Sequence, residues 1–188
     1  MWGVLLNDTL RHAALALGAL ALACLIGAPF GLLAATRGWA RGAVLAAAAV
    51  GRTLPSIAVL ALLVPLLGVG APPALAALTL LALPPIVINV DLALRATPAA
   101  VLDVAAGLGM TSTQRFTRVI VPLALPIALA GVRTAGVEVI GSATLATFVG
   151  AGGLGDDIVR GLQTGDPKLL AIASLIVAAM ALVVEIRR

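Results

Sequence analysis

The chain has 188 residues, 62% of them hydrophobic and 11% charged, with a mean hydropathy of +1.18. A soluble domain carries roughly 25% charged residues, so this composition excludes one and points to an all-α integral membrane protein, a single transmembrane domain over residues 1–188 by length. The net charge of +4 does not signal nucleic-acid binding, because the basic residues are scattered between apolar runs with no interleaved aromatic patch. The lone Cys24 excludes an internal disulfide, and no His/Cys/Asp/Glu group has metal-ligand spacing, so no metal site is expected.

The first span is predicted over residues 13–35, uncharged throughout and longer than the ~20 helical residues that cross a hydrocarbon core. Gly27, Pro29 and Gly31 in its last third predict a bend or a close helix contact. The run lacks a small-residue cleavage site and is followed by Arg37, Trp39 and Arg41, so it reads as a retained span rather than a signal peptide. The second span reads as one helix over 43–67, kinked or broken near Pro55; the alternative is an interfacial helix followed by a short span from Thr53. Arg52 inside it should face protein or water, or snorkel to the surface, and with Pro55 and Ser56 it is a candidate for a path or gate. An uncharged turn over 68–73 leads to a third span over 74–93, where Pro84 and Pro85 predict a kink and become further path candidates. Asp91 and Arg95, at i and i+4, are expected to pair where this helix leaves the bilayer.

Residues 97–126 form the longest interruption in the apolar pattern and read as two short helices. Thr97 is expected to cap the first, with Pro98 at its first position. Val101, Ala105 and Leu108 then share a face. Gly107 and Gly109 are expected to end the helix and to present Leu108 and Met110 as apolar knobs. Thr111 to Gln114 is a capping-box pattern that starts the second helix. Arg115 and Arg118 follow, and Pro122 and Pro126 close the segment.

A fourth span over 126–149 contains Arg133 and Glu138, about 140° apart around a helix of 3.6 residues per turn and so badly placed to pair. Isolated intramembrane charges are candidates for a transport path. Gly150 to Gly155 matches G-x-G-x-x-G letter for letter, but membrane spans flank it instead of a βαβ unit, which excludes dinucleotide binding. Gly150, Gly152, Gly153 and Gly155 are expected to make a pliant hinge or re-entrant turn. A fifth span follows over 169–184.

Residues 97–126 resemble the coupling segment of ABC-importer permeases. Asp103-Val104-Ala105 stands where that family has Glu-Ala-Ala, Gly107-Leu108-Gly109-Met110 follows its Gly-x-Gly-Met form, and Leu125-Pro126 closes it. Further stretches are similar to the permeases of glycine betaine, choline and carnitine (osmoprotectant) importers: Thr53 to Ala58 with Leu66 to Gly70, Leu83 to Asn89, and Gly131 through Gly155. Arg52 and Glu138 are charges that this resemblance does not lead one to expect.

The resemblance implies a type I ABC-importer permease of five helices, or six, in the bacterial cytoplasmic membrane. It implies that Asp103, Ala105, Gly107, Leu108, Gly109 and Met110 form a cytoplasmic coupling surface. The implied partners are two copies of an ABC ATPase subunit, a second permease subunit, identical or homologous, and an extracytoplasmic substrate-binding protein. The chain has no Walker Gly-x-x-x-x-Gly-Lys-[Ser/Thr], so it is read as a non-enzymatic subunit that binds no cofactor, with ATP hydrolysed by a partner. A quaternary-ammonium cage needs several aromatic rings, and the chain has no Tyr, three Phe and two Trp; solute selection is therefore expected in the binding protein, with a mostly apolar path here. The alternatives are a permease of the same architecture for an amino acid, and an ion-coupled secondary transporter using Arg52, Arg133 and Glu138. No inverted repeat supports the latter.

Loop charges set the topology independently. Arg37 and Arg41 follow the first span, Arg95, Arg115 and Arg118 follow the third, and Arg187 and Arg188 end the chain. The loop after the second span is uncharged, and Asp156, Asp157 and Asp166 outweigh Arg160 and Lys168 after the fourth. The positive-inside rule then puts the N-terminus outside and the C-terminus and residues 97–126 in the cytoplasm. In a Cys24→Ala background, an impermeant thiol reagent applied to sealed cells should label Thr164→Cys and spare Ser112→Cys; the reverse pattern overturns this topology.

Overall fold

The computed structural model describes residues 2–186; the Arg187–Arg188 pair used in the charge argument lies outside them. Among the described residues every regular element is helical. Three long helices form the centre: α1 (Trp2–Thr36), α4 (Ala71–Arg95) and α7 (Val121–Ala143). α4 lies between the other two and is the most buried span, with Ala74, Ala77, Leu78, Ala82 and Ile86 almost wholly enclosed. Small residues permit this. A Cβ added to Gly31 would lie 2.6 Å from Val90 Cβ and 2.9 Å from the Val87 carbonyl, and one on Gly131 would lie 2.8 Å from the Pro85 carbonyl. Small-residue contacts of this kind let helices approach within a membrane, where lipid tails are as apolar as leucine.

α1 begins at Trp2, well before the span expected from residue 13. Leu5, Asp8, His12, Leu15, Ala16, Ala19 and Ala23 are buried at helical spacing, so Asp8 and His12 in its first turns belong to the packed face.

α2 (Gly38–Gly51) and α3 (Ser56–Leu67) replace the single second span: the chain bends by 98° between them. Pro55 causes the break. It lacks an N–H and stands extended at φ −63° and ψ 129° before α3.

Pro84 and Pro85, by contrast, do not interrupt α4. Both are buried, and packing on two sides holds the helix through the lost N–H groups. The Asn89 side chain also donates to the Pro85 carbonyl at 2.8 Å. Nor does Asp91 pair with Arg95. Its buried carboxylate accepts from Arg41 on α2, Nη2 at 3.1 Å and Nε at 3.3 Å, a contact fifty residues distant that sequence spacing cannot register.

After α4 come α5 (Ala99–Gly107) and α6 (Ser112–Arg115). Pro98 itself is the residue before α5, and the buried Thr97 hydroxyl has no hydrogen-bond partner, so the expected Thr97 cap is not made. Pro122 and Pro126 do not close the segment either. A wider π turn over Phe116–Ile120 precedes Pro122, and the helix continues through α7 and a 3₁₀ turn (Thr144–Val149), so that residues 112–149 form one rod of 38 residues.

α8 (Leu154–Thr164) is an additional short helix in the hydrophilic loop. Gly165 follows at φ +65°, and Asp166 then caps α9 (Pro167–Ile186) through the N–H groups of Lys168 and Leu169. Among the described residues, four helices are long and apolar enough to cross a membrane, or five spans if the bent α2–α3 pair counts as one.

The α4–α7 contact yields a paired expectation. Gly131→Ala forces its Cβ onto Asn89 and the α4 backbone and should cost about 1–3 kcal/mol as overpacking. Gly141→Ala meets nothing within 4 Å and should gain up to ~1 kcal/mol of helix propensity. Thermal unfolding of the two purified variants in one detergent should move the melting temperature in opposite directions.

Candidate translocation path and coupling segment

The connection between α5 and α6 is a glycine-ended helix stop. The Met110 N–H donates to the Ala105 carbonyl at 3.1 Å and the Gly109 N–H to the Ala106 carbonyl at 2.9 Å, with Gly109 left-handed at φ +77°. This is a Schellman arrangement. It corrects one expectation: Gly107 is the last residue inside α5, and Gly109 alone makes the turn. α6 opens as predicted. The Thr111 hydroxyl accepts from the Gln114 N–H at 3.3 Å, and the Gln114 side chain accepts from the Thr111 N–H at 2.8 Å.

Of the expected knobs, Leu108 is 77% exposed and Met110 is half-buried. Ala105 is buried inside the segment, whereas Val101 and Val104 stand exposed with Leu108. Positions 101, 104 and 108 lie on one side of the helix, so the exposed apolar stripe is longer than the sequence suggested. Asp103 is exposed beside it.

The proposed path residues divide into three groups. Pro84 and Pro85 are buried in the centre of α4; Pro84 borders an apolar groove of about 370 Å³ shared with Phe30 of α1 and Val44 and Ala47 of α2, and Pro85 is not among its lining residues. Gly152, Gly153 and Gly155 are buried with Ala151 and Leu154. Gly152 lies against the Arg11 guanidinium and Gly153 against His12, and a Cβ on Gly155 would overlap the Thr144 carbonyl. This glycine turn is therefore close-packed on α1 and the 3₁₀ turn and is no pliant hinge; only Gly150, at φ +73°, is exposed. Arg52 and Pro55 are exposed at the α2–α3 elbow, with Ser56 half-buried beside them. Glu138 is exposed on α7, in a stripe with Thr134, Gly141 and Phe148, and Arg133 is half-buried on a different face of the same helix. Arg133 and Glu138 form no ion pair, as their spacing predicts.

An apolar groove of about 410 Å³ between α1, α7 and α9 is lined by Leu17, Leu20, Gly136, Met180 and Val184. Gly136 points away from Glu138, two residues and about 200° on. The groove therefore opens on the opposite side of α7 from Glu138.

One cluster was not legible in the sequence. At the end of the bundle that carries the glycine turn, α1 presents Asp8 and His12 to α8. The His12 side chain is fully buried, and its Nε2–H donates to the Ile140 carbonyl at 3.0 Å. Asp157 is 1% exposed and 3.4 Å from the Arg160 guanidinium. Burial above all raises the Asp157 pKa from the ordinary carboxylate range. The charge of Asp8 raises it further, Asp156 adds to this, and Arg160 partly offsets it. The available signal was the i, i+4 spacing of Asp8 and His12, which an aqueous N-terminal turn would also show.

These features define a multi-pass helical membrane protein with a turn-linked pair of helices at one end and a charged face on its longest rod. The chain belongs to the family described as "binding-protein-dependent transport system inner membrane component", which matches residues 27–186. It is 37% identical over 97% of its length to the choline transport system permease protein OpuBB of Bacillus subtilis, covering 84% of that protein. It is 38% identical over 97% of its length to the osmoprotectant import permease protein OsmW of Salmonella typhimurium, covering 87% of it. In fold it is similar to the permease chain in an inward-facing structure of the MetNI methionine ABC transporter, with a TM-score of 0.85, 23% identity, and coverage of 98% of this chain and 92% of that one. The protein is thus a permease subunit of a bacterial ABC importer in the inner membrane.

A raised carboxyl pKa has a defined consequence for stability. The protonated form is favoured by folding, so the contribution of Asp157 is complete below its unfolded pKa of roughly 4 and is lost as pH rises through the raised folded value. Asp157→Asn should therefore melt higher than wild type in alkaline buffer, with the gap closing in acid. A gap independent of pH would show that Asp157 stays ionised.

Proposed function

We propose that this chain is the permease of an ATP-driven importer for osmoprotectants: glycine betaine, choline, carnitine or related quaternary amines. The observation that carries the reading is the 35–38% identity, over at least 93% of the chain, to proteins named as choline, carnitine and osmoprotectant permeases. The chain itself carries no Walker motif; ATP is bound and hydrolysed by two copies of an ATPase subunit. A second permease subunit completes the path, and an external binding protein delivers solute. Residues 97–126 lie in the cytoplasm with the C-terminus, and the N-terminus lies outside, as the loop charges favour.

The exposed stripe of Val101, Val104 and Leu108 is the docking surface for the ATPase. Burying one large apolar side chain yields ~1.5–3 kcal/mol, whereas an exposed Asp103 pair adds only ~0–1 kcal/mol. The turn that aims the stripe depends on Gly109, because a β-branched residue is strained at positive φ.

Uptake of labelled glycine betaine, choline and carnitine by the complete transporter, with its ATPase and binding protein, tests the substrate class. Transport of methionine and none of these three would favour an amino-acid importer. At matched membrane levels, Gly109→Val and Leu108→Asp should each lower ATPase co-purification and uptake by at least about tenfold, the equivalent of one lost knob. Gly107→Ala and Asp103→Asn should change either by less than about threefold. Full ATPase retention in Gly109→Val would make residues 97–126 a plain connector.

A further inference from the structure

Arg52 and Glu138 form no ion pair with each other or with any other described residue, yet the fold sets them at one level. The Gly70 N–H donates to the Val149 carbonyl at 2.6 Å, which ties the end of α3 to the end of the 3₁₀ turn. α3 has 12 residues, about 18 Å at 1.5 Å per residue. Descending about 18 Å from Val149, through the 3₁₀ turn at ~2.0 Å per residue and then α7, reaches the turn that carries Glu138.

The contacts of α4 give the same level independently. A Cβ on Gly51 would lie 3.1 Å from Pro84 Cγ, and one on Gly131 would lie 2.8 Å from the Pro85 carbonyl. α4 and α7 run antiparallel, so Gly51 stands about one turn beyond Gly131, at the level of the turn from Thr134 to Glu138. Both side chains are exposed, and a carboxylate facing hydrocarbon is strongly disfavoured. This face is therefore turned away from lipid, toward the water-filled path that the second permease subunit completes.

We propose that Arg52 and Glu138 are a charged contact point for solute within the otherwise apolar path, a second filter after the binding protein, with Glu138 receiving the quaternary ammonium and Arg52 the carboxylate of a compact zwitterion. The assignment rests on the osmoprotectant reading and deepens it. Two opposite charges that share a level without closing on each other match a solute carrying both. A chain without tyrosine and with three phenylalanines has few rings for an aromatic cage, which leaves a carboxylate as the group to meet the cation. Choline has the ammonium and no carboxylate, so the two residues should separate it from glycine betaine.

The test is binding of glycine betaine and of choline to the full-length permease in lipid nanodiscs, read by saturation-transfer NMR on the trimethylammonium protons, which detects weak binding without the partner subunits. Arg52→Gln should weaken glycine betaine about tenfold, as loss of one charge-assisted contact does, and leave choline unchanged. Glu138→Gln should weaken both about tenfold. Arg52→Lys and Glu138→Asp, which keep the charges, should restore most of the binding and control for misfolding. An Arg52→Gln effect that is equal for the two solutes, or absent, overturns the assignment while leaving the importer reading intact. A complete wild-type transporter that takes up neither solute removes the importer reading, and the assignment with it.

Discussion

The close approach of α4 to its two neighbours is the contact on which the remaining structure depends. Lipid supplies no water to drive helices together, so association rests on van der Waals fit and on the internal satisfaction of every backbone group. Gly27 and Gly31 on α1 receive Ile86 and Val90, and Gly131 on α7 receives Asn89. With these backbones in contact, a helix containing two adjacent prolines remains whole, because its neighbours hold it on both sides. The elbow at Pro55 has no such support: Leu54 and Pro55 are exposed, and the chain turns sharply there. The same residue type is silent in one helix and decisive in another because the packing differs.

Much of this architecture was legible. Long uncharged runs, the Thr111–Gln114 capping box and the Gly-x-Gly-Met turn are local patterns, and local patterns survive folding. The errors concern relations that spacing cannot express. Asp91 has a nearby basic residue at i+4, but its partner is Arg41 across the bundle. Asp8 and His12 look like an aqueous end until α8 is folded against them. α8 itself was hidden in a loop that looked merely hydrophilic, although Leu154, Asp157 and Gly161 mark a buried face at helical spacing. The glycines of residues 150–155 suggested freedom. In the fold they provide room, since side chains there would strike α1 and the Thr144 carbonyl.

The two ends of the molecule use polar residues differently. Asp157 is enclosed beside Asp8, and its enclosure favours its neutral form. Near residues 97–126 charge is exposed and cheap, and the costly feature is the uncovered apolar stripe. An exposed patch of that kind is ordinarily an interaction surface. The chain therefore hides charge at one end and displays oil at the other, a division consistent with a subunit that works within a larger assembly.

The rod formed by residues 112–149 has one further mechanical meaning. Thirty-eight residues at 1.5 Å each make a shaft of about 57 Å, nearly twice the ~30 Å of the hydrocarbon layer. One end begins directly after the Gly109 turn, and the other is pinned by the Gly70–Val149 hydrogen bond. Such a shaft is a lever. A tilt of about 5° about the pinned end sweeps the far end through about 5 Å over that length, and Glu138, close to the fulcrum, moves by only a fraction of that.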